Sequence, residues 1–111
     1  MIHTEKTPLF RGAATALATP FTDGNIDYPA LGRMVEYQIA AGIDALVFCG
    51  TTGEAATLTA TEYAALCRFA VETVRGRVPV LIGCRTNDTA AACDRARTAK
   101  TAGADGLLVV T

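Results

Sequence analysis

The chain of 111 residues has no tryptophan, a single histidine (His3) and only two lysines, Lys6 and Lys100. Its four cysteines, Cys49, Cys67, Cys84 and Cys93, contain no C-x-x-C pair. A zinc site needs clustered nitrogen or sulfur ligands, so the thiols read as small apolar residues kept reduced, and no metal is expected. No apolar stretch approaches the ~20 residues of a membrane span. Met1–Arg11 carries charges and Pro8 where a signal peptide would have an apolar segment, so a cytoplasmic location and no membrane partner are expected. Neither sign of charge dominates: ten Lys and Arg face eleven Asp and Glu, which leaves no basic footprint for nucleic acid.

What is present is apolar and periodic. Half of the residues are hydrophobic and 19% are charged, as in a globular domain. Four β-type runs, centred near Thr15, Val47, Leu81 and Val109, recur about thirty residues apart, the length of one βα unit. Helical patterns lie between them. Asp23-Gly24-Asn25 reads as a turn, and Asp27 as the cap of a helix with Pro29 in its first turn. Leu31, Met34, Val35 and Ile39 lie on one face of that helix, and Gly42 ends it. Thr59-Ala60-Thr61-Glu62 has the spacing of a capping box, and Tyr63, Leu66, Cys67, Ala70, Val71 and Val74 follow as a continuous stripe. The third helix spans roughly Thr89 to Ala102, capped by Asn87 or Asp88, with a small-residue face at Ala92, Cys93, Ala96 and Ala99.

An internal echo supports repetition. Ala41-Gly42-Ile43-Asp44-Ala45-Leu46-Val47 returns as Ala102-Gly103-Ala104-Asp105-Gly106-Leu107-Leu108, in both cases a helix end, a short link with Asp, then a buried strand. Right-handed crossovers make such strands parallel. No Pro- or Ser-rich linker divides the chain, so 1–111 reads as one incomplete α/β domain with no second domain. A (β/α)8 barrel needs about 250 residues, and four strands with three helices make its N-terminal half. Half a barrel is expected to leave its inner sheet face and one strand edge uncovered.

Chemistry in such folds sits at the C-terminal ends of the strands. Four segments occupy those ends: Thr19-Pro20, Gly50-Thr51-Thr52-Gly53-Glu54, Cys84-Arg85-Thr86-Asn87 and Thr111. The second is the most specific. Its two glycines permit close approach of the backbone to a ligand, and N–H groups ahead of a helix suit a carboxylate. Taken locally, the same segment also reads as an ordinary βα turn whose threonines satisfy backbone groups.

Gly50-Thr51-Thr52-Gly53-Glu54 with its continuation Ala55-Ala56-Thr57-Leu58, and Gly12-Ala13-Ala14-Thr15-Ala16-Leu17-Ala18-Thr19-Pro20-Phe21 upstream, resemble the N-terminal part of the 4-hydroxy-tetrahydrodipicolinate synthase (dihydrodipicolinate synthase) family. The resemblance spans nearly the whole chain and implies a TIM barrel and class I lyase chemistry. A lysine condenses with pyruvate, and the enamine adds to L-aspartate-4-semialdehyde on the route to lysine and diaminopimelate. It implies no cofactor, because the lysine imine is the electron sink, and a full-length homotetramer. By the same resemblance Thr52 binds the pyruvate carboxylate, Thr51 relays protons between two tyrosines, and Thr15 lines the pocket near the imine. A hydroxyl suits a relay because it donates and accepts without acquiring net charge. The imine lysine lies on a later strand in that family. Neither Lys6 in the tail nor Lys100 on a helix matches it, so the chain by itself is expected to be inactive.

Glu54 would repel a bound carboxylate, so its expected role is to tie down the loop or cap a helix. Arg85 reads as a surface residue that could also attract acidic substrates. Asn87 matches a position contacting the inhibitor lysine in some members of the family. Ala55, Ala60, Tyr63 and Ala91 stand where that site would need polar, histidine or acidic groups, so feedback inhibition is not implied. Cys84 and Arg85 replace the usual threonine and glycine. Three other readings stay open: a sister pyruvate-dependent aldolase (N-acetylneuraminate lyase or 2-keto-3-deoxy sugar-acid aldolase), a non-catalytic half-barrel that associates with itself or a complementary half, and a truncated product without function.

Overall fold

The computed structural model describes residues 12–49, 58–84 and 89–108. Four parallel strands form one sheet in the order β1 (Ala14–Ala16), β4 (Ala45–Phe48), β5 (Val80–Gly83) and β6 (Gly106–Leu108). Three helices, α1 (Tyr28–Ala40), α2 (Ala60–Val74) and α3 (Thr89–Ala102), connect them in βα alternation. This is the architecture of the N-terminal half of a TIM barrel. The expected helix limits hold closely, and α1 and α2 each carry their own N-terminal cap. Asp27 caps α1 by accepting from Ala30 N at 3.0 Å. Thr59 and Glu62 close a complete capping box on α2, Thr59 N donating to Glu62 Oε1 at 2.9 Å and Glu62 N to Thr59 Oγ1 at 3.1 Å. The proposed cap of α3 at Asn87 or Asp88, and Val109 at the centre of the last strand run, lie outside the described residues.

A second, two-stranded antiparallel ribbon was not read from the sequence. Phe21–Thr22 (β2) pairs with Asn25–Ile26 (β3). Asp23 and Gly24 between them have φ of 53° and 80°, the left-handed pair that a tight two-residue hairpin of Asp-Gly type requires. The expected turn is therefore the tip of a hairpin. Thr22 Oγ1 donates to Asp27 Oδ2 at 2.8 Å, so the N-cap of α1 also anchors the ribbon. These bonds, the Ala30 N–H first and the Thr22 hydroxyl second, hold the Asp27 carboxyl below its ordinary pKa.

The sheet separates two apolar layers. Leu46, Phe48, Val80 and Ile82 face the helices and join Leu31, Val35, Tyr63, Leu66, Cys67, Ala70, Val74 and Ala99 in one core. Ala45, Val47 and Leu81, with Leu108 against them, make the opposite, inner layer. All four residues of β4 and of β5 are buried, which is why both strands read as unbroken apolar runs without alternation. The inner face is less open than expected. Val47 and its register partner Leu81 are both buried, whereas Ala14 and Ala16 on β1 are exposed. On α3 only Ala99 is fully buried. Cys93, expected on the packing face, is exposed, because the helix meets its neighbours through Ala99 and leaves the Cys93 position turned outward.

Candidate active site at the strand ends

Described residues frame the expected site without containing its centre. Gly50, Thr51, Thr52, Gly53 and Glu54 lie outside the described residues, as do Arg85, Asn87 and Thr111. Their flanks are well defined. Cys49, directly after β4, is buried and takes φ of 57°, so the chain turns sharply as it leaves the strand. Leu58, directly before the N-cap of α2, is buried. Gly83 and Cys84 close β5, and Cys84 N donates to Leu108 O at 3.1 Å.

Thr15 is not where the resemblance put it. It pairs in register with Leu46, which faces the helices, and its Oγ1 donates to Gln38 Oε1 on α1 at 3.1 Å. The neighbour Ala16 pairs with Val47 and so belongs to the inner face. A strand of Ala-Thr-Ala offers no hydrophobic alternation from which its faces could be read. The Thr15 hydroxyl therefore braces α1 to β1 from behind, and Ala16 is the inward residue that sequence reasoning missed.

Behind the strand ends lies a cluster that the sequence treated only as packing. Tyr63 in the first turn of α2 is 1% exposed, and its hydroxyl donates to Gly83 O at 2.7 Å and lies 3.9 Å from Cys84 Sγ. Arg95 on α3 stacks over the Tyr63 ring, Cζ 4.8 Å from the centroid, and its Nη2 donates to Leu58 O at 2.9 Å. Burial raises the Tyr63 phenol well above its ordinary pKa, so it stays a donor throughout the physiological range. Desolvation also pushes the Cys49 thiol up to about 12 and Cys67 to about 11, and raises Cys84. None of these three is a thiolate at neutral pH, which removes them as nucleophiles. All four cysteines are free. The Tyr63 hydroxyl is committed to Gly83 and its ring to Arg95.

In the sequence, β4 is followed by Gly50-Thr51-Thr52-Gly53-Glu54 and then by the capped helix α2. The model of the dihydrodipicolinate synthetase family matches residues 9–111. The chain belongs to the dihydrodipicolinate synthetase family. A 4-hydroxy-tetrahydrodipicolinate synthase from Nitratidesulfovibrio vulgaris (strain DSM 19637 / Miyazaki F) is 53% identical over 102 residues, covering 92% of this chain and 35% of that protein. One from Acetivibrio thermocellus is 45% identical over 104 residues, covering 94% of this chain and 36% of the relative. Among solved structures, the dihydrodipicolinate synthase of Thermotoga maritima matches with a TM-score of 0.89 at 40% identity, over 94% of this chain and 35% of its own. A prophage member of the family from E. coli K12, solved in complex with pyruvate, matches with a TM-score of 0.87 at 40% identity, over 92% of this chain and 35% of its own. The chain thus spans about a third of the length of these synthetase-family relatives. Its fold matches about a third of the solved structures of the family.

Proposed function

We propose that the protein carrying this chain is a 4-hydroxy-tetrahydrodipicolinate synthase, a lyase that condenses pyruvate with L-aspartate-4-semialdehyde through a lysine imine in lysine and diaminopimelate synthesis. The observation that carries the reading is the identity of 45–53% over more than nine-tenths of the chain with two proteins of that name, together with Gly50-Thr51-Thr52-Gly53-Glu54 at the end of β4. In this reading Thr52 receives the pyruvate carboxylate. Thr51 passes protons, a task for which a neutral hydroxyl is suited. Thr15 supports α1 from the helix side and takes no part in the pocket.

The imine lysine is supplied by sequence that this chain does not contain. Lys100 is exposed in the last turn of α3, on the layer that covers the outside of the sheet, and Lys6 belongs to the tail. The domain 1–111 is one incomplete barrel unit, and the complete enzyme is a cytoplasmic homotetramer that works without a metal or organic cofactor. A second reading is a sister aldolase that shares the pyruvate site and takes another aldehyde; a prophage member of the synthase family is solved in complex with pyruvate.

The test joins this chain to the remaining two-thirds of the N. vulgaris relative. Borohydride reduction with pyruvate is expected to give one stoichiometric adduct, detected by intact mass and located outside residues 1–111. Consumption of L-aspartate-4-semialdehyde in preference to sugar-acid aldehydes supports the synthase. No adduct in a folded fusion overturns the reading, and preference for a sugar-acid aldehyde replaces it with the sister aldolase. The chain alone should form no adduct at Lys6 or Lys100.

A further inference from the structure

We draw no further inference here: the strongest candidate, the apolar groove between α1 and α2 lined by the ring pair Tyr28 and Phe69 with Arg33 and Glu36 beside it, is an unpartnered helix face for which nothing in the structure shows what covers it.

Discussion

Asp105 and Val80 hold each other by two hydrogen bonds: Asp105 N donates to Val80 O at 2.8 Å, and Val80 N donates to Asp105 Oδ2 at 2.8 Å. Asp44 and Ala13 repeat the arrangement one βα unit earlier, with Asp44 N donating to Ala13 O at 3.1 Å and Ala13 N to Asp44 Oδ2 at 2.9 Å. The aspartates are the equivalent positions of the two echoed segments, Ala41–Val47 and Ala102–Leu108. Each side chain supplies the acceptor that the first N–H of the preceding parallel strand would otherwise lack. The left-handed glycine at each helix end, Gly42 with φ of 88° and Gly103 with φ of 104°, brings the chain round to that position.

This relationship predicts unequal costs. Asp105→Ala leaves the N–H of the buried Val80 without its acceptor and should destabilise the chain by about 1–3 kcal/mol. Asp44→Ala exposes the Ala13 N–H to water, since Ala13 is exposed, and should cost about 1 kcal/mol or less. Urea unfolding of the two variants checks the order, and a greater loss in Asp44→Ala would refute it. Gly12 belongs to the same clamp: a Cβ there would lie 2.0 Å from Asp44 Oδ2 at φ of 113°, so Gly12→Ala should cost more than Asp44→Ala.

Glu36 on α1 and Arg77 after α2 form a bidentate pair, Nη1 to Oε1 at 2.9 Å and Nη2 to Oε2 at 2.7 Å, and Arg77 also donates to Val74 O and Thr73 O. The hydrogen bonds from Arg77 hold the Glu36 carboxyl below its ordinary pKa. A carboxylate lowered in the folded state contributes stability above its unfolded pKa and loses it as pH falls through the folded value. Glu36→Gln should therefore lower stability slightly at pH 7 and make no difference in acid. Thermal unfolding across pH 3–7 is the check, and a constant difference would show that the charge is irrelevant.

The thiols divide by environment. Cys93 is exposed and the other three are buried with raised pKa values. One thiol should react promptly with iodoacetamide at pH 7.5, and peptide mapping should locate it at Cys93. The buried groups also predict an alkaline loss of stability. Their folded pKa values lie above the unfolded ones, so the protection is complete below pH 9 and falls as pH rises towards about 11–12. Rapid labelling of Cys49 under native conditions would contradict this packing.

In the fused barrel, Thr51→Val keeps the β-branched shape and removes the hydroxyl. Loss of a proton relay should reduce turnover by about 10²–10⁴-fold with little change in the far-ultraviolet dichroism. Unchanged turnover would leave Thr51 as a turn residue.

Most of the architecture was legible because the signals are local. Caps at Asp27 and Thr59, the stripe from Tyr63 to Val74, the apolar runs Ala45–Phe48 and Val80–Gly83, and the recurrent Ala-Gly-x-Asp all act within a few residues, so sequence alone determined the three helices, the parallel strands of the main sheet and the family, but not the β2–β3 ribbon. Tertiary structure decided what depends on which face a residue turns to and what lies opposite it. Thr15 bonds Gln38 instead of entering the inner face, since a strand of three small residues takes its orientation from the register with β4. Cys93 is exposed while Cys49, Cys67 and Cys84 are buried, although all four are the same residue type. Arg95 meets Leu58 and Tyr63 across more than thirty residues of chain, a contact that exists only once α2 and α3 are packed side by side on the sheet.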